Sequence, residues 1–230
     1  KYQTEINASH IFIPLSWYAS PDDTLKVYKE LMELRKYALK NDNFAILAKE
    51  WSKDSKTLDK GGNLGWFTAF HLIYPLEVAA YSTAIDSISL PIKTKSGYHL
   101  VKVNDKRKNS GYVKVQHIFK YLKAEINKDE YDKTYETLDS LKNLLQNGVS
   151  FEELVNKYSD DFNSKDAQGQ LPVFGIGTRE ESTFEEAAFS LEKGEVSKPV
   201  RSSSGLHLIK LIEKYQPDNK ESYLKRIQPK

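Results

Sequence analysis

Apolar and polar residues alternate along Glu5–Ile13, which predicts a β-strand because successive side chains of a strand point to opposite faces. From Thr24 to Lys40 the apolar residues recur at helical spacing, which predicts a helix packed on one face. Phe44–Trp51 has the same periodicity and predicts a second, shorter helix. The rest of this half predicts a strand, a helix that opens with proline and two final strands, at Leu64–Phe67, Pro75–Ser82, Ile88–Lys93 and Tyr98–Val103.

The second half of the chain repeats this order of elements. The predicted elements are Val113–Tyr121, Lys128–Gln146, Phe151–Tyr158, Leu171–Phe174, Thr183–Leu191, Val196–Val200 and Leu206–Ile212. Polar loops are predicted at Ser52–Asn63 and Ser159–Gln170. Strands and helices in this order predict an α+β fold, in which helices pack around a small, mostly antiparallel sheet in each half.

Short motifs repeat together with the elements. His10 and His117 each begin the string His-Ile-Phe, and each is followed at identical spacing by an aspartate, Asp54 or Asp161. The spacing from His10 to His99 and the spacing from His117 to the last histidine, His207, differ by a single residue. The chain is therefore interpreted as two tandem copies of one domain. The sequence repeat is too long to be the unit of a solenoid. The predicted parts are a first domain at 1–106, a linker at 107–112, a second domain at 113–215 and a tail at 216–230.

Composition narrows the function classes. A hydrophobic content of 39% with 14 Tyr and 10 Phe can fill two small cores, and no apolar run approaches the length of a membrane span. The net charge of +2 shows that basic and acidic side chains are nearly equal in number, which argues against nucleic acid as a partner. The absence of cysteine excludes disulfides and thiolate catalysis. Because the chain begins at Lys1 without an initiator methionine, we expect a mature or trimmed fragment whose targeting segment is missing.

The paired histidines are the first candidate for chemistry. His10 and His99 belong to the first and last strands, where side chains at one level of adjacent strands have Cβ atoms about 4.5–5.5 Å apart. Two such imidazoles can share a hydrogen bond and fix each other's tautomer. Two alternatives stay open. The histidines can be purely structural, and two histidines with one aspartate can form a metal-binding facial triad, which the lack of further ligands disfavours.

Six ordered motifs in each copy resemble those of parvulin-type peptidyl-prolyl cis/trans isomerases. In the first copy they include His10-Ile-Phe, Trp51-Ser-Lys-Asp, Gly61-Gly-Asn-Leu-Gly-Trp-Phe and Ser96-Gly-Tyr-His. The resemblance covers residues 5–105 and 113–214. It implies two tandem parvulin-like domains, each with a four-stranded sheet surrounded by about four helices. Tandem domains of this kind further resemble bacterial extracytoplasmic foldases.

The resemblance also implies roles for individual residues. The catalytic set is His10, Asp54, Thr94 and His99 in the first copy, and His117, Asp161, Ser202 and His207 in the second. The proline pocket is Leu64, Leu72 and Leu76 in the first copy, and Leu171 and Phe184 in the second, with Ser96 and Ser204 close to the histidines. In the second copy the family's methionine position falls in Gly177–Glu180, which holds no apolar residue.

The implied activity is isomerisation of Xaa-Pro bonds in unfolded or exported polypeptides, with no cofactor and no metal. Phosphopeptide specificity is not expected, because the segment 14–23 is acidic and aromatic, and the second copy offers Lys120, Lys123 and Lys128 but no arginine fork. The implied location is the periplasm or another extracytoplasmic compartment. The alternative is that one or both copies are catalytically inactive, and that the protein is a peptide-binding chaperone.

Overall fold

A computed structural model describes residues 3–123, 125–179 and 181–217, so most of the predicted tail lies outside the described residues. The chain divides into two compact units between Asn109 and Ser110. The first unit contains β1 (Thr4–Pro14), α1 (Pro21–Asn41), α2 (Phe44–Trp51), a 3-10 helix (Leu58–Lys60), β2 (Asn63–Phe67), α3 (Tyr74–Ser82), β3 (Ile92–Lys93) and β4 (Gly97–Lys108). The second contains β5 (Tyr112–Tyr121), α4 (Lys128–Gln146), α5 (Phe151–Tyr158), α6 (Phe162–Lys165), β6 (Phe174–Gly175), α7 (Ser182–Ser190), β7 (Val200–Arg201) and β8 (Gly205–Tyr215).

Each unit has one four-stranded antiparallel sheet. The strand orders are β2-β1-β4-β3 and β6-β5-β8-β7, so the first and last strands of each unit are central neighbours. The α+β prediction with two repeated four-stranded sheets is confirmed. Because the histidines lie on these first and last strands, the sheet order brings each pair together.

Each sheet buries both of its faces. In the first unit Ile11 and Leu100 point to the face covered by α1 and α2. On the opposite face, under α3, Ile6, Ala8 and Val101 form a second apolar cluster. The second unit repeats this division between its two clusters. Since side chains alternate along a strand, the histidines extend the apolar row on the α3 face of the first sheet and on the α7 face of the second.

A β-bulge occurs at the same place in both sheets. The register of β1 against β4 shifts after Asn7, which leaves Asn104 as the extra residue on β4. The register of β5 against β8 shifts after Lys114, which leaves Ile212 as the extra residue on β8. In both copies the extra residue follows the second histidine at the same spacing, so the bulge is part of the repeat.

The predicted and observed ends of helices and strands differ where a helix cap or a proline sets the end. Helix α1 begins at Pro21 and not at Thr24, because the Ser20 hydroxyl accepts a hydrogen bond from the Asp23 amide at 3.1 Å and proline is favourable in the first turn. Three of the four edge strands, β3, β6 and β7, are shorter than predicted because proline has no N–H to donate. The prolines concerned are Pro91 before β3, Pro199 before β7 and Pro172 before β6.

Three connecting segments contain secondary structure that residue type alone did not predict. The two predicted polar loops contain the 3-10 helix and α6. Residues 109–111 alone separate β4 from β5, so the connection is shorter than the predicted linker at 107–112. Strand β4 continues because Arg107 lies opposite Glu5 of β1. Its Nε is 2.5 Å from the buried Glu5 carboxylate, and its guanidinium stacks 3.9 Å from the Trp66 ring centroid.

Candidate active site

The two histidines of the first unit lie diagonally across paired strands. His10 is opposite Val101, and His99 is opposite Phe12. The prediction that both imidazoles occupy one level of the sheet was therefore wrong, although rings are long enough to meet across a diagonal. The His10 and His99 rings stack with centroids 5.7 Å apart, and Phe12 stacks on His99 at 4.6 Å.

The second unit has the same diagonal arrangement and one additional hydrogen bond. The His117 and His207 centroids are 5.3 Å apart, and their Nδ1 atoms are 3.1 Å apart. In the first unit the Nδ1 atoms of His10 and His99 are buried, and neither has a hydrogen-bond partner among the described residues. The predicted shared hydrogen bond therefore forms in the second copy only.

An aspartate binds the other nitrogen of the first histidine in each unit. His10 Nε2 is 2.7 Å from Asp54 Oδ2, and His117 Nε2 is 2.8 Å from Asp161 Oδ2. The Thr57 hydroxyl also donates to Asp54 Oδ2, at 2.7 Å. Its counterpart, Ser164, lies 3.3 Å from His117 Nε2. Sequence reasoning missed these two hydroxyls, although in both copies a hydroxyl residue stands three positions after the aspartate.

A serine fixes the aspartate loop to the histidine strand. The Ser52 hydroxyl accepts hydrogen bonds from the backbone amides of Phe12 at 3.1 Å and Asp54 at 3.3 Å. In the second unit Ser159 binds the corresponding two amides at 3.2 and 3.3 Å. Both serines are buried. The carboxylate position is therefore set by β1 or β5 itself, two residues after the histidine.

A glycine closes the same loop against the backbone of the first histidine. The His10 amide donates to the Gly62 carbonyl at 2.8 Å. Gly62 has a φ of +78°, and a Cβ placed there would lie 2.2 Å from the His10 carbonyl oxygen. Gly169 has a φ of +76° and the same relation to His117, with a distance of 2.6 Å. Only glycine fits these positions without displacing the strand.

The predicted hydroxyls contact the second histidine of each pair. Thr94 Oγ1 is 3.2 Å from His99 Nε2, and Ser202 Oγ is 2.9 Å from His207 Nε2. The side chains of Ser96 and Ser204 are exposed, and each donates its backbone amide to Thr94 or Ser202 at 3.3 Å. The predicted catalytic residues therefore form one connected group in each unit, with Ser96 and Ser204 at its exposed edge.

The hydrogen-bond chain of the second unit has a single direction. An ionised Asp161 can only accept, so the proton of His117 resides on Nε2 and its Nδ1 is the acceptor. His207 therefore donates from Nδ1, and its Nε2 accepts the hydrogen bond of the Ser202 hydroxyl. Each proton position follows from the charge at one end of the chain.

The imidazoles of the second histidines are neutral at pH 7. Burial, with a further contribution from the His10 charge, lowers the pKa of His99 to about 4. Burial and the His117 charge lower the pKa of His207 to about 3. Burial would raise the pKa of the Asp54 carboxyl, but hydrogen bonds from Thr57 and His10 outweigh it and the pKa is lowered. Each site thus combines a neutral second histidine with an ionised carboxylate.

The predicted proline-pocket residues of the first unit lie in one apolar cluster. Leu76 is buried on α3, and the partly buried Leu64 and Leu72 pack against the same cluster. This cluster includes Val101, which is the residue opposite His10. The apolar group is therefore continuous with the histidine pair.

The second unit builds this region from aromatic rings. Phe184 is buried on α7 and packs with Phe174 and the partly buried Leu171. Its ring is perpendicular to His207, with centroids 5.1 Å apart. Arg179 covers this group, because its guanidinium lies 4.9 Å from the Phe184 centroid and 5.0 Å from the Phe174 centroid. Sequence reasoning missed Arg179, although it belongs to the segment noted for lacking an apolar residue.

A buried glutamate holds the loop that carries Arg179. The Glu185 carboxylate accepts hydrogen bonds from the backbone amides of Gly177 at 2.8 Å and Arg179 at 2.7 Å. Burial raises the pKa of Glu185, and these amide bonds offset only part of that effect. In the first unit the equivalent Glu77 accepts from the Phe70 amide. The pairing of a helix glutamate with loop amides is therefore common to both units.

Comparison with known proteins identifies the family. The sequence matches the PpiC-type PPIase domain, or rotamase, at residues 10–105 and again at residues 117–213. The chain belongs to the PpiC-type peptidyl-prolyl isomerase family. Both matches begin at the first histidine of a pair and include the second, so the family domain and the repeat coincide.

Several curated relatives of this parvulin-type chain are foldases or chaperones by name. The chaperone SurA of Chromohalobacter salexigens is 29% identical over 94% of this chain and 50% of its own length. The foldase protein PrsA 1 of Bacillus cereus is 33% identical over 64% of this chain and 45% of its own length. The crystal structure of PrsA from Bacillus anthracis is 22% identical over 92% of this chain and 78% of that chain, with a TM-score of 0.42. The chain spans about half the length of the curated relatives it matches.

Two further features bear on how this parvulin-type chain could act. Within the described residues, no three His, Asp or Glu side chains converge as ligands of a metal ion would. Among the helices described, none combines the length and the apolar character that crossing a membrane requires.

Proposed function

We propose that this protein catalyses cis/trans isomerisation of Xaa-Pro bonds in unfolded exported polypeptides. One observation carries the proposal. In both units an apolar cluster adjoins a buried histidine pair that is hydrogen-bonded to an ionised aspartate. The first unit supplies Leu76 next to the histidine strands, and the second supplies Phe184 in edge-to-face contact with His207. Family membership supports the same activity.

The reaction needs no nucleophile. Resonance gives the peptide bond a rotation barrier of about 18–20 kcal/mol, and spontaneous isomerisation of a prolyl bond takes tens to hundreds of seconds. A site that binds the twisted bond better than either planar form lowers this barrier. A thousandfold acceleration requires about 4 kcal/mol of such differential binding.

Each group has a role that its environment supports. The apolar cluster holds the pyrrolidine ring, and the buried histidine pair forms a polar floor beside it. Asp54 and Asp161 place negative charge beside this floor, which favours the twisted bond over the charge-separated planar form. Thr94 and Ser202 hold the second histidine of each pair in position. The nearby Ser96 and Ser204, at the exposed edge, are proposed to contact the substrate.

The clients are proposed to be unfolded segments without phosphate. Of the lysines in the second unit that could bind phosphate, Lys120 pairs with Asp160 at 2.7 Å. The printed names of the relatives, foldase and chaperone, support a role in protein folding. By the same resemblance we propose an extracytoplasmic location for this protein.

An exchange-spectroscopy or protease-coupled assay with an Ala-Xaa-Pro-Phe peptide tests the activity. Leu64→Ala and Leu171→Ala remove one partly buried pocket side chain from the first and second units, and each is expected to slow catalysis by its own domain. Leu39→Ala, at an exposed position of α1, is the matched control and should leave the rate unchanged.

The chaperone alternative predicts a different result. If the peptide isomerises no faster with the protein than with buffer, while the protein suppresses aggregation of an unfolded client, both domains bind without catalysing. Loss of rate in Leu39→Ala equal to that in the pocket variants would also contradict the proposed site.

A further inference from the structure

The second unit carries a positive charge on its apolar cluster that the first unit does not have. The Arg179 guanidinium lies on the faces of Phe184 and Phe174, which are the large rings of the proposed proline pocket. The corresponding segment of the first unit, Thr68–Ile73, contains neither lysine nor arginine. The two domains therefore present different charges to a bound peptide, although their histidine and aspartate geometry repeats.

The carboxylates near Arg179 already have other partners. Glu185 accepts from two loop amides, and Asp161 accepts from His117. Glu181 accepts from the backbone amide of Ser203 at 3.1 Å and also from its hydroxyl. Among the described residues, no carboxylate forms an ion pair with the Arg179 guanidinium. Its hydrogen-bond donors are thus available to a ligand.

A second arginine adds to the positive charge of this site. Arg201 of β7 follows Val200, the residue opposite His207, and its Nη1 is buried without a hydrogen-bond partner among the described residues. Burial and the His117 charge account for most of the low pKa of His207, and Arg179 and Arg201 lower it further. Both cations therefore act electrostatically on the histidine floor.

We propose that Arg179 makes the second domain selective for Xaa-Pro segments that carry an acidic residue next to the proline. The proline ring lies beside the group formed by Phe184 and Arg179, and the neighbouring carboxylate binds the guanidinium that covers the Phe184 ring. This inference rests on the proposed function, since it names the substrate class of the same site. The first domain, which has Leu72 and His71 in this segment, shows no such preference.

Peptide titrations of the full chain, followed by 15N NMR, measure each domain separately through its own resonances. The probes are peptides with Glu before proline, Glu after proline, and Gln in both places. A partly exposed ion pair corresponds to about fivefold tighter binding of a Glu peptide by the second domain. Arg179→Met should abolish the preference and Arg179→Lys should retain part of it. Lys198→Met removes an exposed charge of the same domain and should change nothing.

The outcomes separate recognition from catalysis. Equal affinity of the second domain for all peptides, or an unchanged preference in Arg179→Met, overturns the proposal. A preference that also appears in the first domain overturns it as well. If the preference is found but no peptide isomerises faster than in buffer, the acidic selectivity stands and the proposed catalysis fails.

Discussion

Acidification should destabilise the first domain through His99. The pKa of this imidazole is about 4 in the folded protein, chiefly because it is buried, while its ordinary value is 6.5. The neutral form is therefore favoured by folding, and this stabilisation is present above pH 6.5 and is lost as the pH falls toward 4. At pH 5 the unfolded chain binds a proton at His99 that the folded chain does not bind. This lowers the free energy of unfolding by about 2 kcal/mol.

Tryptophan fluorescence can measure this loss in the first domain alone. Trp17, Trp51 and Trp66 are the three tryptophans of the chain, and all precede the division at Asn109. Urea unfolding at pH 7 and at pH 5 gives the free energy of unfolding at each pH. We expect the wild type to lose about 2 kcal/mol more than His99→Asn between these two values.

The comparison removes the contributions of other groups. Carboxylates that titrate near pH 5 are shared by both proteins and cancel in the difference. His71→Asn is the matched control, because it removes an exposed histidine of the same domain and leaves His99 in place. The reasoning is refuted if wild type and His99→Asn lose the same free energy, since the proton uptake would then not belong to the buried ring.

Three further predictions concern the glycine and the aspartate of the site. Gly62→Ala should lower the free energy of unfolding by more than about 3 kcal/mol, because the new Cβ would meet the backbone of the histidine strand. Gly65→Ala is the control, since Gly65 also has a positive φ but has open space around it, and it should cost about 1 kcal/mol. Equal losses in urea unfolding would contradict the clash. Asp161→Asn should reverse the tautomers of the second histidine pair, which imidazole 15N shifts will detect; unchanged shifts would show that the carboxylate does not set them. Thr57→Val should raise the pKa of Asp54 by removing a donor, and a 13C carboxyl titration that shows no rise would refute that role.

Elements with strong local signals could be predicted from the sequence. The bounds of Phe44–Trp51, Lys128–Gln146 and Phe151–Tyr158 agree with the structure, because each has an apolar stripe and a polar residue before its first turn. The edge strands β3, β6 and β7 were predicted too long, since residue type alone favoured extended structure where a proline such as Pro91 removes the amide needed for pairing.

Only the site residues that recur at the same spacing in both copies could be predicted from the sequence. The spacing of the histidines and aspartates identified the pairs, but the level of His10 relative to His99 depends on strand register, which no local signal fixes. The hydrogen bond between the two Nδ1 atoms forms only in the second domain, where the ring centroids are closer together. Both domains have the same pair of histidines, so the sequence did not predict this difference. Arg179 was overlooked because its contact with Phe184 arises from the path of a loop, and not from spacing along the chain.

The bulge at Asn104 divides β4 into two segments with separate registers against β1. The half that carries His99 pairs with β1 from Ala8 to Pro14, whereas the outer half pairs with Thr4 to Asn7. A one-residue length change in the outer half would invert the facing of its own side chains and leave the imidazole where it is. Insertions or deletions in the outer half therefore change the end of the strand and leave the half that carries His99 in its register.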